Sequence, residues 1–416
     1  MGKMKTWGGA FALCLICTSA QAATVELENQ DRGTGQGFDD DQSVAPLASN
    51  EATTLGEQRL AAFQYAAEIV ASRIASNVPV RIQVSFAGNI NRENLLACER
   101  NSATLGQGGT TEYAVNFSGA PQADVAYPLP LANALAGQRL ADRAGIALAF
   151  NPRLDTASEN CLQGTTWYYG LDGEPGDHQL DFVATAVHEL LHGLGFQTLV
   201  ALSDDGDTEI GQFPRFTDDA NTRFPDIFST YIQYLGLPGQ PYWPSMTAAQ
   251  RAESMSDGPD LVWGSSSTNS AAGGYLTTGL TQGRVQLYAP PTIDAGSSVS
   301  HWAMTLSPAQ IMAPRENPDA GVLHGLGLSI CALEDLGWQL TNGARCPDID
   351  SAPIAGDPDS EITSEADSSS AGADDDDGGG GGGGGCTLNP NAAFDPLWLL
   401  MLSLAGGVLL WRRRSA

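Results

Sequence analysis

His188-Glu189-Leu190-Leu191-His192-Gly193-Leu194-Gly195-Phe196 is the stretch on which the fold and the chemistry of this chain turn. Residues four apart on an α-helix share a face, so His188 and His192 can offer their imidazoles to one metal ion. Glu189 lies about 100° further round, where a carboxylate can reach a water on that ion. Zinc acidifies a water that it binds, and a neighbouring glutamate takes the proton. Only five histidines occur in 416 residues, so chance is a poor explanation for two of them at this spacing. Leu180, Phe182, Val183, Val187, Leu190, Leu191 and Leu194 supply the apolar backing of a core helix, Asp181 suits its N-terminal dipole, and Gly193 and Gly195 offer a stop.

A catalytic zinc needs a third protein ligand and one open position. The compact form of the motif, H-E-x-x-H-x-x-G-x-x-H, would supply a third histidine at once. This chain keeps the glycine, Gly195, but carries Thr198 where that histidine would stand. His301 is the strongest candidate. It sits in Ser300-His301-Trp302, shortly before Ile311-Met312-Ala313-Pro314, and a methionine in a Pro-rich turn suits an apolar floor beneath the imidazoles. The alternatives are His178, in a Gly- and Asp-rich loop; His324, which reads as a capping or core histidine; and Glu334, on an expected helix over 330–336.

The HExxH with Gly195 and Phe196, a long insertion, then Ser300-His301-Trp302 and Met312, resembles the leishmanolysin-like metallopeptidases of the metzincin clan. The segment Ala332-Leu333-Glu334-Asp335-Leu336-Gly337-Trp338 is similar to the helix that follows the Met-turn there. The resemblance spans roughly residues 55–340. It implies an α+β catalytic domain, with an N-terminal mixed sheet, an active-site helix, and a largely helical or irregular C-terminal part holding a Met-turn at Met312. It also implies one catalytic Zn2+ on His188, His192 and His301, with Glu189 as general base and protein or peptide substrates. The long insertion and the few cysteines depart from the eukaryotic members.

Residues 1–22 read as a secretory signal: Lys3 and Lys5, an apolar stretch, then Ala20-Gln21-Ala22. Cys98, Cys161, Cys331 and Cys346 then remain in the body, an even set that predicts two disulfides in an exported chain. Sequence order favours Cys98–Cys161 and Cys331–Cys346 among three pairings. The formal charge of −28 argues against a nucleic-acid partner.

Residues 23–54 are polar and aperiodic, an extended mature N-terminus or a short pro-segment. The catalytic domain is expected over 55–346. Apolar spacing predicts a helix over 56–76, capped by Thr53 or Thr54, and strands over 80–86, 113–117 and 146–150, with a helix over 128–140. The insertion 197–300 shows weak periodicity; 224–235 reads as a packed helix and 264–284 as a loop. Asp204-Asp205-Gly206-Asp207 could bind a structural Ca2+ but lacks the full loop pattern of a calcium site. Residues 347–385, with the run Asp374 to Asp377 followed by the glycines 378–385 before Cys386, read as a flexible linker. Residues 386–416, with Cys386, a short apolar run and Arg412-Arg413-Arg414, are similar to bacterial C-terminal sorting tails of the JDVT type. That resemblance implies a membrane-embedded processing enzyme as partner, Cys386 as the attachment or recognition point, and a body tethered outside the inner membrane before it reaches the surface or the medium; a plain membrane anchor is the alternative. The functional expectation is an exported zinc endopeptidase. Its rivals are a silent adhesin or binding module on the same fold, and zinc hydrolysis of a non-peptide amide.

Overall fold

Alternating apolar residues at Val80, Ile82 and Val84, and the run Ile146-Ala147-Leu148-Ala149-Phe150, form the centre of a five-stranded sheet in this computed structural model. The structure describes residues 21–86, 96–204, 208–216, 222–315, 323–349, 352–353, 362–364 and 387–388. The strands run in the order Ile362–Ser364, Val25–Asn29, Val80–Ser85, Ile146–Phe150, Gly106–Thr110. The first four are parallel and the last is antiparallel, so the sheet is mixed. Among the described residues six α-helices complete a mixed α and β architecture: α1 (Leu55–Ala71), α2 (Leu129–Ala136), α3 (Phe182–Gly193), α4 (Ala248–Ser254), α5 (Ser266–Tyr275) and α6 (Ser329–Leu336).

Helix α1 starts where expected. The Thr54 side chain accepts the Glu57 N–H, and Phe63, Ala67 and Val70 are buried. It ends five residues earlier than the apolar spacing predicts, because side chains take over its last turn. Ser72 Oγ and Arg73 Nη1 both donate to the Ile69 carbonyl, and Ile74 then belongs to a short strand. Val25, Val80, Ile82 and Ile146 of the sheet meet Ala67, Val70, Leu190 and Leu194 of α1 and α3 in one apolar layer. Gly193 is required there, since a Cβ would stand 2.5 Å from Ile146 Cγ2.

Several expectations change. Residues 23–54 are not merely extended: Val25–Asn29 lies in register with the central strand, Val25 opposite Val80. The Asp31 carboxylate then accepts the N–H groups of Phe38 and Phe86, which folds the next segment back onto the sheet. Over 224–235 the helix gives way to one 3-10 turn, Phe228–Tyr231, and the strand Ile232–Tyr234, which pairs antiparallel with Leu261–Trp263. The Asp226 carboxylate caps that single turn through the Ser229 N–H, and the β-prone residues beyond it find a partner strand. Over 264–284 the Ser-rich segment forms α5 rather than a loop. Its first turn is held from outside, because the Asp335 carboxylate of α6 accepts from the Ser265, Ser267 and Thr268 hydroxyls and from Trp263 Nε1.

The disulfides are Cys98–Cys161 and Cys331–Cys346. The body continues past Cys346. Asp348, expected in the linker, is buried and pairs with buried Arg73 at 2.6 Å. Its carboxylate also accepts the Leu326 N–H. Ile362–Ser364, likewise in the expected linker, edges the main sheet, and Thr387–Leu388 pairs with Ser102–Thr104. No helix among the described residues is long and apolar enough to cross a membrane. Residues 1–20 of the expected signal, Asp205 to Asp207, the glycine run, Cys386 and the apolar tail lie outside the described residues.

Candidate metal centre

Asp181 sets the start of the helix that carries the motif. Its Oδ1 accepts the Ala184 N–H at 2.8 Å and also receives Nε2 of buried His324 at 3.0 Å. His324 therefore belongs to the cap and not to the metal ligands. From this start α3 runs over the sheet and buries His188, Glu189 and His192 completely. Gly195 then turns the chain at φ 113°, where a Cβ would also meet Pro128 Cγ at 2.8 Å. The turn brings the Phe196 carbonyl to His192 Nδ1 at 2.8 Å.

The third histidine arrives from the far end of the insertion. His301 is fully buried, and its Nε2 stands 3.2 Å from that of His188 and 3.2 Å from that of His192. The His188 and His192 Nε2 atoms are 3.1 Å apart. His178 is exposed with φ 59°, and Glu334 is exposed on α6; neither joins the group. Among the described residues these three histidines are the set that can hold a metal ion.

Protonation follows from the other ring nitrogen. His188 Nδ1 faces the Ile311 carbonyl at 2.7 Å, His192 Nδ1 that of Phe196, and His301 Nδ1 that of Ser297 at 2.7 Å. A carbonyl only accepts, so each Nδ1 carries the hydrogen and each neutral ring turns its Nε2 lone pair inward. Burial keeps the rings neutral. It lowers the His188 pKa to about 4 against the lift from Ile311. Burial first, then the neighbouring imidazoles, push His192 and His301 well below the usual histidine range.

Three buried lone pairs thus converge with no proton among them, a repulsive arrangement that a cation relieves. The spacing fits one. Nitrogens bound tetrahedrally at ~2.0–2.1 Å lie ~3.3–3.4 Å apart. The carbonyl on each Nδ1 is the outer support that ligating histidines ordinarily have.

Glu189 is seated by residues that sequence reasoning passed over. Gly106 and Gly108 share one face of the edge strand and leave room for it. A Cβ at Gly106 would stand 3.0 Å from Glu189 Cγ and 3.1 Å from Oε1. At Gly108 it would stand 2.6 Å from the Glu189 carbonyl oxygen and 2.8 Å from Oε2. Helix and strand therefore meet backbone to backbone beside the carboxylate. The available signal was Gly106-Gln107-Gly108-Gly109, since glycine inside a strand marks a close approach.

Met312 is fully buried. Its carbonyl accepts the Trp302 N–H at 2.8 Å, while its neighbour Ile311 holds His188. The segment 311–312 thus braces two of the three histidines from the backbone. Val299, two residues before His301, is a buried β-branched residue at φ 72°. Such strain costs ~1–3 kcal/mol and persists only where the surroundings fix it.

Comparison of the chain with family models, curated proteins and solved structures yields no match.

Proposed function

We propose that this protein is a zinc-dependent endopeptidase of the leishmanolysin-like, metzincin kind. The observation that carries the proposal is the convergence of three Nε2 lone pairs at 3.1–3.2 Å, two of them on the helix that carries the buried Glu189. A three-imidazole donor set suits zinc and leaves a position for water and substrate. When bound, the metal supplies the positive charge that polarises a peptide carbonyl and acidifies the attacking water.

The remaining work falls to the chain. His188, His192 and His301 hold the ion. Glu189 takes the proton of the attacking water and returns it to the leaving amine. Gly106–Thr110 has, among the described residues, a strand partner on one side only. A peptide extended along its other edge would continue the sheet by strand addition. Gly106 and Gly108 keep Glu189 against that strand, so carboxylate and substrate ladder are positioned by the same backbone. The two disulfides suit an oxidising compartment, which export would provide.

The test is casein hydrolysis by the zinc-loaded full chain and by Glu189→Ala. The variant is expected to keep its zinc and lose activity by about 10²–10⁴-fold. A chelator should silence the parent and added zinc restore it. A zinc-loaded parent that cleaves no protein would instead favour a binding module.

A further inference from the structure

Helix geometry places His188 and His192 together, but it says nothing about His301. Besides the histidines and the Phe196–Trp302 ring contact, the chain on the two sides of the insertion is joined by a buried hydrogen bond. The Thr198 N–H donates to Ser300 Oγ at 3.1 Å, and Ser300 immediately precedes His301. Thr198 itself follows α3 closely, at the position where the compact motif would have its histidine.

The hydroxyl of Thr198 is held in turn. Ser229 donates its hydroxyl proton to Asp226 Oδ2 at 2.7 Å, so it can only accept from Thr198 Oγ1, which lies 2.8 Å away. Thr198 Oγ1 accepts the Val200 N–H at 3.1 Å. Asp226 also takes the N–H groups of Leu199 at 2.9 Å and Ser229 at 2.8 Å. Asp226, Ser229, Thr198 and Ser300 are all buried. The order of donors is therefore fixed from the Thr198 hydroxyl to the carboxylate. Its effect is to pin the Thr198 backbone, whose N–H holds Ser300.

We propose that Thr198 and Asp226 are positioning residues for the third metal ligand, acting through Ser229 and Ser300 on His301. The relay closes the insertion and sets the distance of His301 from the α3 pair. This rests on the metal-binding part of the proposed function and needs no peptide hydrolysis.

The test measures zinc affinity of the full chain by competition with a chelator, together with the visible absorption of the cobalt-loaded protein. Thr198→Val keeps the shape and removes the hydroxyl; Thr198→Ser keeps the hydroxyl. Thr198→Val is expected to bind zinc about 10–100-fold more weakly, the range for outer supports of metal ligands. Its cobalt band should shift towards that of His301→Ala, which defines a site short of one imidazole. Thr198→Ser should match the parent, and Ser300→Ala should move in the same direction as Thr198→Val. Adding Thr198→Val to His301→Ala should weaken zinc binding no further, because the ligand it positions is gone. Equal zinc affinity and an unchanged cobalt band in Thr198→Val, with only a loss of thermal stability, would overturn the proposal and leave the relay a loop brace. A parent chain that takes up no zinc would overturn the metal reading itself, a result distinct from the first.

Discussion

Helix α3 and the segment around His301 bring ligands to the same point by opposite means. In α3 the spacing of His188 and His192 is a property of the helix, and any well-capped amphipathic helix would reproduce it. The cap at Asp181 and the glycine contact with Ile146 only fix where that helix lies. Around His301 no helix or strand sets the geometry. The Tyr288 N–H donates to the His301 carbonyl, the Val299 N–H to that of Tyr288, and the Trp302 N–H to that of Met312. Phe196, Phe228, Trp263 and Trp302 pack around the same point, with neighbouring ring centroids 4.9–6.4 Å apart. One part of the site is local and the other is held by contacts distant in sequence. The two parts should therefore fail differently.

The largest expected effect tests whether they are equal as ligands. His192→Ala and His301→Ala should each reduce zinc affinity beyond the ~100-fold reached by outer supports. A His301→Ala chain that loses less than tenfold would break the equivalence. His324→Ala should keep its zinc, since it acts on the Asp181 cap. Next comes the clasp that joins the two ends of the body. Asp348→Ala leaves Arg73 buried without that carboxylate and should cost ~3–5 kcal/mol in denaturant unfolding. A chain ended at residue 346 should lose at least as much, since it also loses the edge strand Ile362–Ser364. Gly108→Ala places a methyl against the Glu189 carbonyl and should cost ~1–3 kcal/mol, whereas Gly106→Ala meets the more yielding side chain and should cost less. The remaining effect is one of pH and needs no substitution. Without metal, the unfolded chain binds protons on these histidines near their ordinary pKa of 6.5, while buried His188 resists until about 4. Stability of the metal-free protein should fall as pH drops from 6.5 towards 4, and melting curves across that interval should show it. His188→Gln should flatten the slope.

The same contrast explains what the sequence disclosed. Helices α1 and α3 and the strands Val80–Ser85 and Ile146–Phe150 are legible because their periodicity is written locally. His301 could be picked out because so few histidines compete for the role. Val25–Asn29 alternates, with Val25 and Leu27 buried, but the run is too short to stand out from its polar surroundings, and its strand character is fixed by the neighbour at Val80. Helix α5 was hidden because Ser, Thr and Gly are poor helix formers, and its first turn depends on Asp335, far along the chain. The expected linker beginning at 347 fails for the same reason, since nothing near Asp348 in sequence announces Arg73. The seat of Glu189 was open to view in Gly106 and Gly108, but only the placement of α3 shows what those glycines admit.

Trp302 adjoins His301, and its indole lies 5.9 Å from that of Trp263. Excitation absorbed by either ring can pass to the other. A cobalt or copper ion beside His301 would drain the excited state of this pair within its lifetime. The emission of the protein should thus dim in proportion to the fraction of chains that carry such an ion, and recover when a zinc ion replaces it. Trp243 and Trp338, placed elsewhere in the core, would supply a residual glow against which the change can be read.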